Sequence, residues 1–211
     1  MKRIMILLLT ATAFLAGCVD NNYHDTGLAN GVYDGTVWEY MKAGSQWDSA
    51  VLVIERAGLT GIFDGTDPEY KEGITFFGFT NFTVWRFMAN TLDKNRKRKY
   101  NRISDMPVEL CRRMTLDYVI RGKRMKDSFG YEIPGTLQGG TDVKTLSGVS
   151  LRVYRIKTPH PDTEIPDKGP EFLGIHALKS GHRAVIASSD NEADNGVVHS
   201  LPYTFLWSEL Q

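Results

Sequence analysis

Cysteine is almost missing from this chain: among 211 residues only Cys18 and Cys111 occur, so no disulfide framework staples the fold and packing must hold it. A surplus charge is missing too. Lys plus Arg and Asp plus Glu each number 25 and the formal net charge is zero, which leaves no global field to draw in nucleic acid or an acidic surface. Any recognition by charge must be local, and a nucleic-acid partner is not expected. The apolar run Ile4 to Ala16 is too short for a permanent membrane span. No Gly-x-Ser-x-Gly elbow, His-Glu-x-x-His helix, phosphate loop or dinucleotide fingerprint occurs. The chain is therefore read as a non-enzyme with no cofactor, and it shows neither an internal repeat nor a heptad.

What is present begins at the N-terminus. Lys2 and Arg3 precede the apolar run, which closes on Leu15-Ala16-Gly17-Cys18. This tetrad resembles the lipobox of bacterial lipoproteins at every position. The resemblance implies a signal peptide over 1–17, removed after the Cys18 thiol has taken a diacylglycerol. Each buried methylene of an acyl chain adds about 0.8 kcal/mol of membrane affinity, so a multiply acylated Cys18 anchors the protein without a transmembrane helix. The expected partner at this end is the membrane, and the expected location is the cell envelope. Val19 stands where inner-membrane lipoproteins carry aspartate, which points to the outer membrane. Residues 18–30, rich in Asn, Asp and Gly, read as a flexible tether, and 31–211 as one domain. Cys111, inside Val108-Glu109-Leu110-Cys111-Arg112-Arg113-Met114, reads as a buried helix residue.

Thr36 can cap a helix through Met41, and Trp47 to Ala57 predicts a second that stops at Gly58. The aromatic and β-branched run Ile74 to Phe79 predicts a strand, followed by a helix from Thr80 or Asn81 carrying Val84, Trp85, Phe87 and Met88. Ser104 to Pro107 reads as another helix start, with Pro107 in the first turn. Later strands are predicted at 141–146, 149–156, 183–188 and 197–201, with the Pro-rich segment 158–170 as an excursion between strands. Helices leading and strands following argue an α+β domain.

Three boxes carry a family resemblance. Thr75-Phe76-Phe77-Gly78-Phe79-Thr80-Asn81 is similar to the Thr-x-Phe-Ala-Pro-Thr-Asn box of fasciclin (FAS1) domains, with Gly78 and Phe79 at the Ala and Pro positions. Thr145-Leu146-Ser147-Gly148 resembles their Thr-Leu-x-Gly turn, and Asn195-Gly196-Val197-Val198-His199 their Asn-Gly-Val-Ile-His box. Leu116-Asp117-Tyr118-Val119 takes the place of Leu-x-Tyr-His, with Val119 where histidine is usual. The resemblance implies a β-wedge packed with N-terminal and central helices, in an adhesive or binding protein at cell surfaces. The positions singled out are Thr75, Phe77, Thr80, Asn81, Tyr118, Asn195, Gly196 and His199. Each also has a structural explanation: Thr80-Asn81 can cap the next helix, and Asn195-Gly196 tolerates positive φ and so can turn the chain into its last strand.

Outside those boxes the sharpest feature is the basic run Lys94, Arg96, Lys97, Arg98 and Lys99, a candidate site for sulfated glycans or lipid phosphates, weighed against a mobile solvated insertion. His176 and His182 lack a third ligand nearby in sequence, so no metal site is expected. Asp190 to Gly196 resembles the start of a calcium loop but has Asn195 at the sharp-turn glycine position, and reads better as a solvated acidic turn. Asp48-Ser49-Ala50 resembles a bacterial O-glycosylation acceptor. Trp38, Tyr40, Phe76, Phe77, Phe82, Trp85 and Phe87 are assigned mostly to core, with Trp47 and Phe79 as the rings least secure there. The expected function is a membrane-anchored envelope lipoprotein that binds a protein or glycan in adhesion. Carbohydrate capture for nutrient uptake is the alternative, and an envelope hydrolase a third.

Overall fold

The computed structural model describes residues 31–136 and 138–207. The expected signal peptide, the expected lipidation site Cys18 and the expected tether to Asn30 lie outside the described residues. Among the described residues five helices come first, interrupted by one buried strand and followed by sheet: α1 (Val37–Ala43), α2 (Asp48–Ala57), α3 (Thr60–Phe63), β1 (Ile74–Gly78), α4 (Asn81–Asn90) and α5 (Val108–Leu116). The strands β2 (Val119–Arg121), β3 (Glu132–Ile133), β4 (Gln138–Gly139), β5 (Thr141–Lys144), β6 (Ser150–Lys157), β7 (Glu171–Ala177), β8 (Arg183–Val185), β9 (Ser188–Ala193) and β10 (Gly196–Ser200) complete the domain. The fold is α+β.

Local chemistry sets the helix ends. The Thr36 hydroxyl accepts from the Glu39 amide at 3.2 Å while the Thr36 amide donates to the Glu39 carboxylate at 2.8 Å, a reciprocal cap on α1. Gly58 takes the left-handed conformation at φ 65° and closes α2, as expected for a glycine just past a helix end. Pro107 is not inside the first turn of α5 but caps it from outside. That placement leaves its missing N–H without consequence.

Two four-stranded sheets form the wedge, ordered β2-β1-β10-β9 and β5-β6-β7-β8, with β3 and β4 a separate hairpin. Strand β1 is buried at every residue because β2 and β10 flank it and helices cover it. It pairs in parallel with β10, so the first and last strands meet at the centre. The sheets join along two seams. At one, the Leu146 amide donates to the Val119 carbonyl at 2.8 Å; at the other, Ala187 donates to Ser200 at 2.8 Å as the chain passes from β8 into β9. Helix α1 packs on β9 and β10, and α2 packs on α1, α4 and α5. One continuous apolar core runs from Val37 to Trp207 and includes Cys111.

Three expectations need correction. The solvated acidic turn at 190–196 is instead strand β9 followed by a tight turn at Asp194-Asn195, because β10 offers it a pairing edge. The last strand of the other sheet is preceded by β7, which the sequence reading left out although Phe172, Leu173 and Ile175 lie in it. Gly174 and His176 interrupt its apolar pattern, and pairing with β6 over seven residues supplies the order. Trp47 and Phe79 are wholly buried, whereas Phe82 and Trp85 are the rings left outside the core.

Candidate functional site

The family-type positions converge on junctions of the fold. Asn195 fastens two helices to the final strand: its Oδ1 accepts from the Val37 amide at 2.8 Å and its Nδ2 donates to the Phe63 carbonyl at 2.9 Å. Both partners belong to buried residues at a helix N-terminus and a helix C-terminus, where unpaired backbone groups are costly. Gly196 serves a different purpose from the one expected. Its φ is not positive; a Cβ there would lie 2.7 Å from the Ile74 carbonyl oxygen and 2.7 Å from Val37 Cγ2, so close approach excludes a side chain.

Asn81 also works across the fold. It does not cap its own helix, as expected from its place after β1, but α2: the Ser49 amide donates to its Oδ1 at 2.7 Å and its Nδ2 donates to the Ser45 carbonyl at 2.7 Å. Trp47, at the cap position of α2, has no side-chain oxygen to offer, and Asn81 fills that role from a distance. Thr80 stands at the cap position of α4 without a capping bond, its hydroxyl buried and unpartnered. Tyr118 packs edge-on against Phe79 and Phe205. Its hydroxyl is buried without a partner, and burial pushes the phenol well above its ordinary pKa.

Thr75 and His199 hold one segment between them. The Thr75 hydroxyl donates to the Gly122 carbonyl at 2.6 Å and accepts from the Arg124 amide at 2.9 Å. His199, at a bulge between β9 and β10, accepts at Nδ1 from the Asp190 amide at 3.1 Å, which leaves the proton on Nε2 to bond the Arg124 carbonyl at 2.9 Å. Burial lowers its pKa, with the Arg124 carbonyl opposing, and the imidazole is neutral. Phe77 stacks on it at 5.7 Å. Asp190 adopts φ 62°, unusual for a residue with a Cβ, and its carboxylate accepts from the Lys126 amide at 2.6 Å. A ligand would have to displace such bonds to reach Asn195, Asn81, Thr75 or His199. The motif residues are spent on architecture.

The surface carries the remaining chemistry. The basic run is an ordered turn and not a loose insertion: Leu92 and Arg98 bridge, and Lys99 donates to Thr91 at 2.9 Å. Asp93 clasps it, accepting from the Asn95 amide at 2.8 Å and the Lys97 amide at 2.9 Å. Lys94, Arg96, Lys97, Arg98 and Lys99 are all exposed, Lys99 with its ammonium over the Tyr100 ring at 5.4 Å, and among the described residues none of them forms an ion pair with a carboxylate. The turn follows α4 directly. On the outward side of that helix stand Phe82 and Trp85, and Tyr203 meets Phe82 edge-on at 6.2 Å. Sequence reasoning placed Phe82 and Trp85 in the core. The signal against it was spacing: 82, 85 and 89 share one helix face, while 83, 84 and 87 share the other.

A cleft of about 640 Å³ opens between the β3–β4 hairpin and the outer side of β6 to β8. Arg183 Nη2 donates to the Tyr154 hydroxyl at 3.0 Å and lies 3.8 Å from the Glu132 carboxylate. Beside it, Tyr131 is covered by the Arg155 guanidinium at 3.9 Å and by Lys157 at 4.4 Å. His176 and His182 do not come together. His176 lies across from Arg152 and Arg183 on the sheet, and His182 packs against Phe205 at 5.2 Å. Burial is the first cause that lowers both imidazole pKa values.

Comparison with known protein families finds no match, and no curated protein matches either. Among solved structures the chain is similar to a FAS1 domain pair from the insect cell adhesion molecule Fasciclin I, with a TM-score of 0.48 and 13% identity over 76% of this chain. The match takes in 44% of that chain, so this protein spans less than half its length.

Proposed function

We propose that this protein is a lipid-anchored platform of the bacterial cell envelope, in the outer membrane, whose FAS1-like domain binds a protein or glycan in adhesion. The observation that carries the reading is the division of labour among side chains. Thr75, Asn81, Asn195 and His199 are consumed by internal hydrogen bonds, while unpaired cations and aromatic rings are on the outside. Such a molecule works through its surface. The lipobox Leu15-Ala16-Gly17-Cys18 supports the anchor and the location.

The test is direct. Mass spectrometry of the native product should find an acylated Cys18 as the first residue, and Cys18→Ser should release the protein from the membrane fraction and abolish attachment of cells that depend on it. An intact leader, or turnover of a compound by the pure protein, would overturn the reading. A second reading, saccharide capture, is favoured by the cleft under the β3–β4 hairpin, where Tyr154, Arg183 and Glu132 combine a ring with polar groups. Arg183→Ala should then remove saccharide binding on a glycan array while leaving attachment unchanged.

A further inference from the structure

We propose that the outward face of α4 and the basic turn that follows it dock the domain flat on an anionic lipid bilayer. The proposal deepens the lipid-anchored reading, on which it rests for the nearness of the bilayer.

The face is unusual for a surface helix. Phe82 is 57% exposed, Trp85 55% and Tyr203 64%, and these rings are neighbours on one side of the domain. The segment carrying Tyr203 is fixed along α4, since Arg86 Nη1 donates to the Thr204 carbonyl at 2.9 Å and Phe87 meets Trp207 edge-on at 4.8 Å. Rings held open in this way form a built platform. From Trp85 to Thr91 the chain rises about 9 Å along the helix axis, and there the turn sets five cations against one carboxylate. Asp93 directs that carboxylate at the backbone of its own turn. A bilayer with anionic headgroups answers both halves at once, because phosphates take the cations and the headgroup zone takes Trp and Tyr. A sulfated polysaccharide would also satisfy the cations, so contact of Trp85 with lipid is the observation that separates the two.

Trp85 supplies the readout. Of the four tryptophans, Trp38, Trp47 and Trp207 are each 7% exposed or less. The full native protein is reconstituted into vesicles of phosphatidylcholine, with or without phosphatidylglycerol, each containing brominated lipid as a contact quencher. Quenching is expected in the anionic vesicles, strongly reduced in phosphatidylcholine alone, absent in Trp85→Phe, and reversed by high salt. Replacing Lys94, Arg96, Lys97 and Arg98 with Gln should lower the equilibrium for docking of the domain on anionic vesicles on the order of a hundredfold or more, read as loss of Trp85 quenching, with the thermal midpoint unchanged. Equal quenching in both vesicle types, or none in either, overturns the proposal. So does binding to heparin that needs the four cations while Trp85 stays unquenched by lipid, which would make the turn a polysaccharide site. The mass of the Cys18 peptide from the same sample reports separately whether the anchor exists.

Discussion

Removing the Asn195 side chain should destabilise the domain by cutting the ties between the last strand and two helices. Asn195→Ala deletes two hydrogen bonds, one to the Val37 amide and one to the Phe63 carbonyl. Each is worth roughly 1 kcal/mol net, and each lost partner leaves a buried backbone group unsatisfied at about 1–3 kcal/mol. Water can reach part of the site because Asn195 itself is only half-buried, so about 1.5 kcal/mol applies to each of the two groups left unsatisfied and the expected loss is about 3 kcal/mol. For a domain of this size that corresponds to a fall in midpoint of roughly 6–12 °C. The assay is equilibrium unfolding in urea followed by tryptophan fluorescence, since Trp38 and Trp47 sit in and beside the helices that Asn195 secures. The m-value should be unchanged. A loss below about 0.5 kcal/mol, the size expected of an ordinary surface substitution, would refute the claim that this side chain ties α1 and α3 to the last strand.

Other consequences follow from the same geometry. Gly78→Ala would bring a Cβ to 2.7 Å from the Trp47 ring; calorimetry should find a loss of about 1–3 kcal/mol, with a shifted near-ultraviolet circular dichroism signal from the displaced indole. Asn81→Ala removes the distant cap of α2 and should cost about 1–2 kcal/mol in urea unfolding, whereas Thr80→Ala, whose hydroxyl caps nothing, should cost less. The buried, neutral His199 makes stability depend on acid. Its folded pKa lies below the ordinary value, so the unfolded chain takes up the extra proton. Stability is full above about pH 6.5 and falls below it by up to roughly 1.4 kcal/mol per pH unit, until the folded imidazole itself protonates. His199→Gln should flatten that slope in urea titrations between pH 7 and about 5, leaving the contributions of His176 and His182 in the same direction.

Much of the helical half was legible in the residues because its signals are local. Thr36 with Glu39, Gly58 after Ala57, and the run Ile74 to Phe79 each determine their element through contacts within a few residues. Strand β9 was illegible for the opposite reason. Ser188 to Ala193 has no apolar alternation, and its backbone is ordered by β10 on one side and by the Tyr33 amide, which donates to Glu192 at 2.8 Å, on the other. The motif boxes were visible as patterns, but their purpose was not. Asn81 was read as a cap for the helix it begins, and only the placement of α2 beside it turns its amide to Ser45 and Ser49.

By itself, then, the sequence determined an α+β chain with two cysteines, no net charge and a run of five cations, because composition and short-range spacing suffice for those properties. Tertiary structure alone decided that Gly196 is required by crowding against β1 and α1, that His199 locks a crossing segment, and that Trp85 stays in water while Trp47 does not. These outcomes depend on which distant surfaces meet. A side chain carries its donors, acceptors and apolar area in its formula, but the partners that satisfy or expose them are chosen only when the sheets and helices close around it.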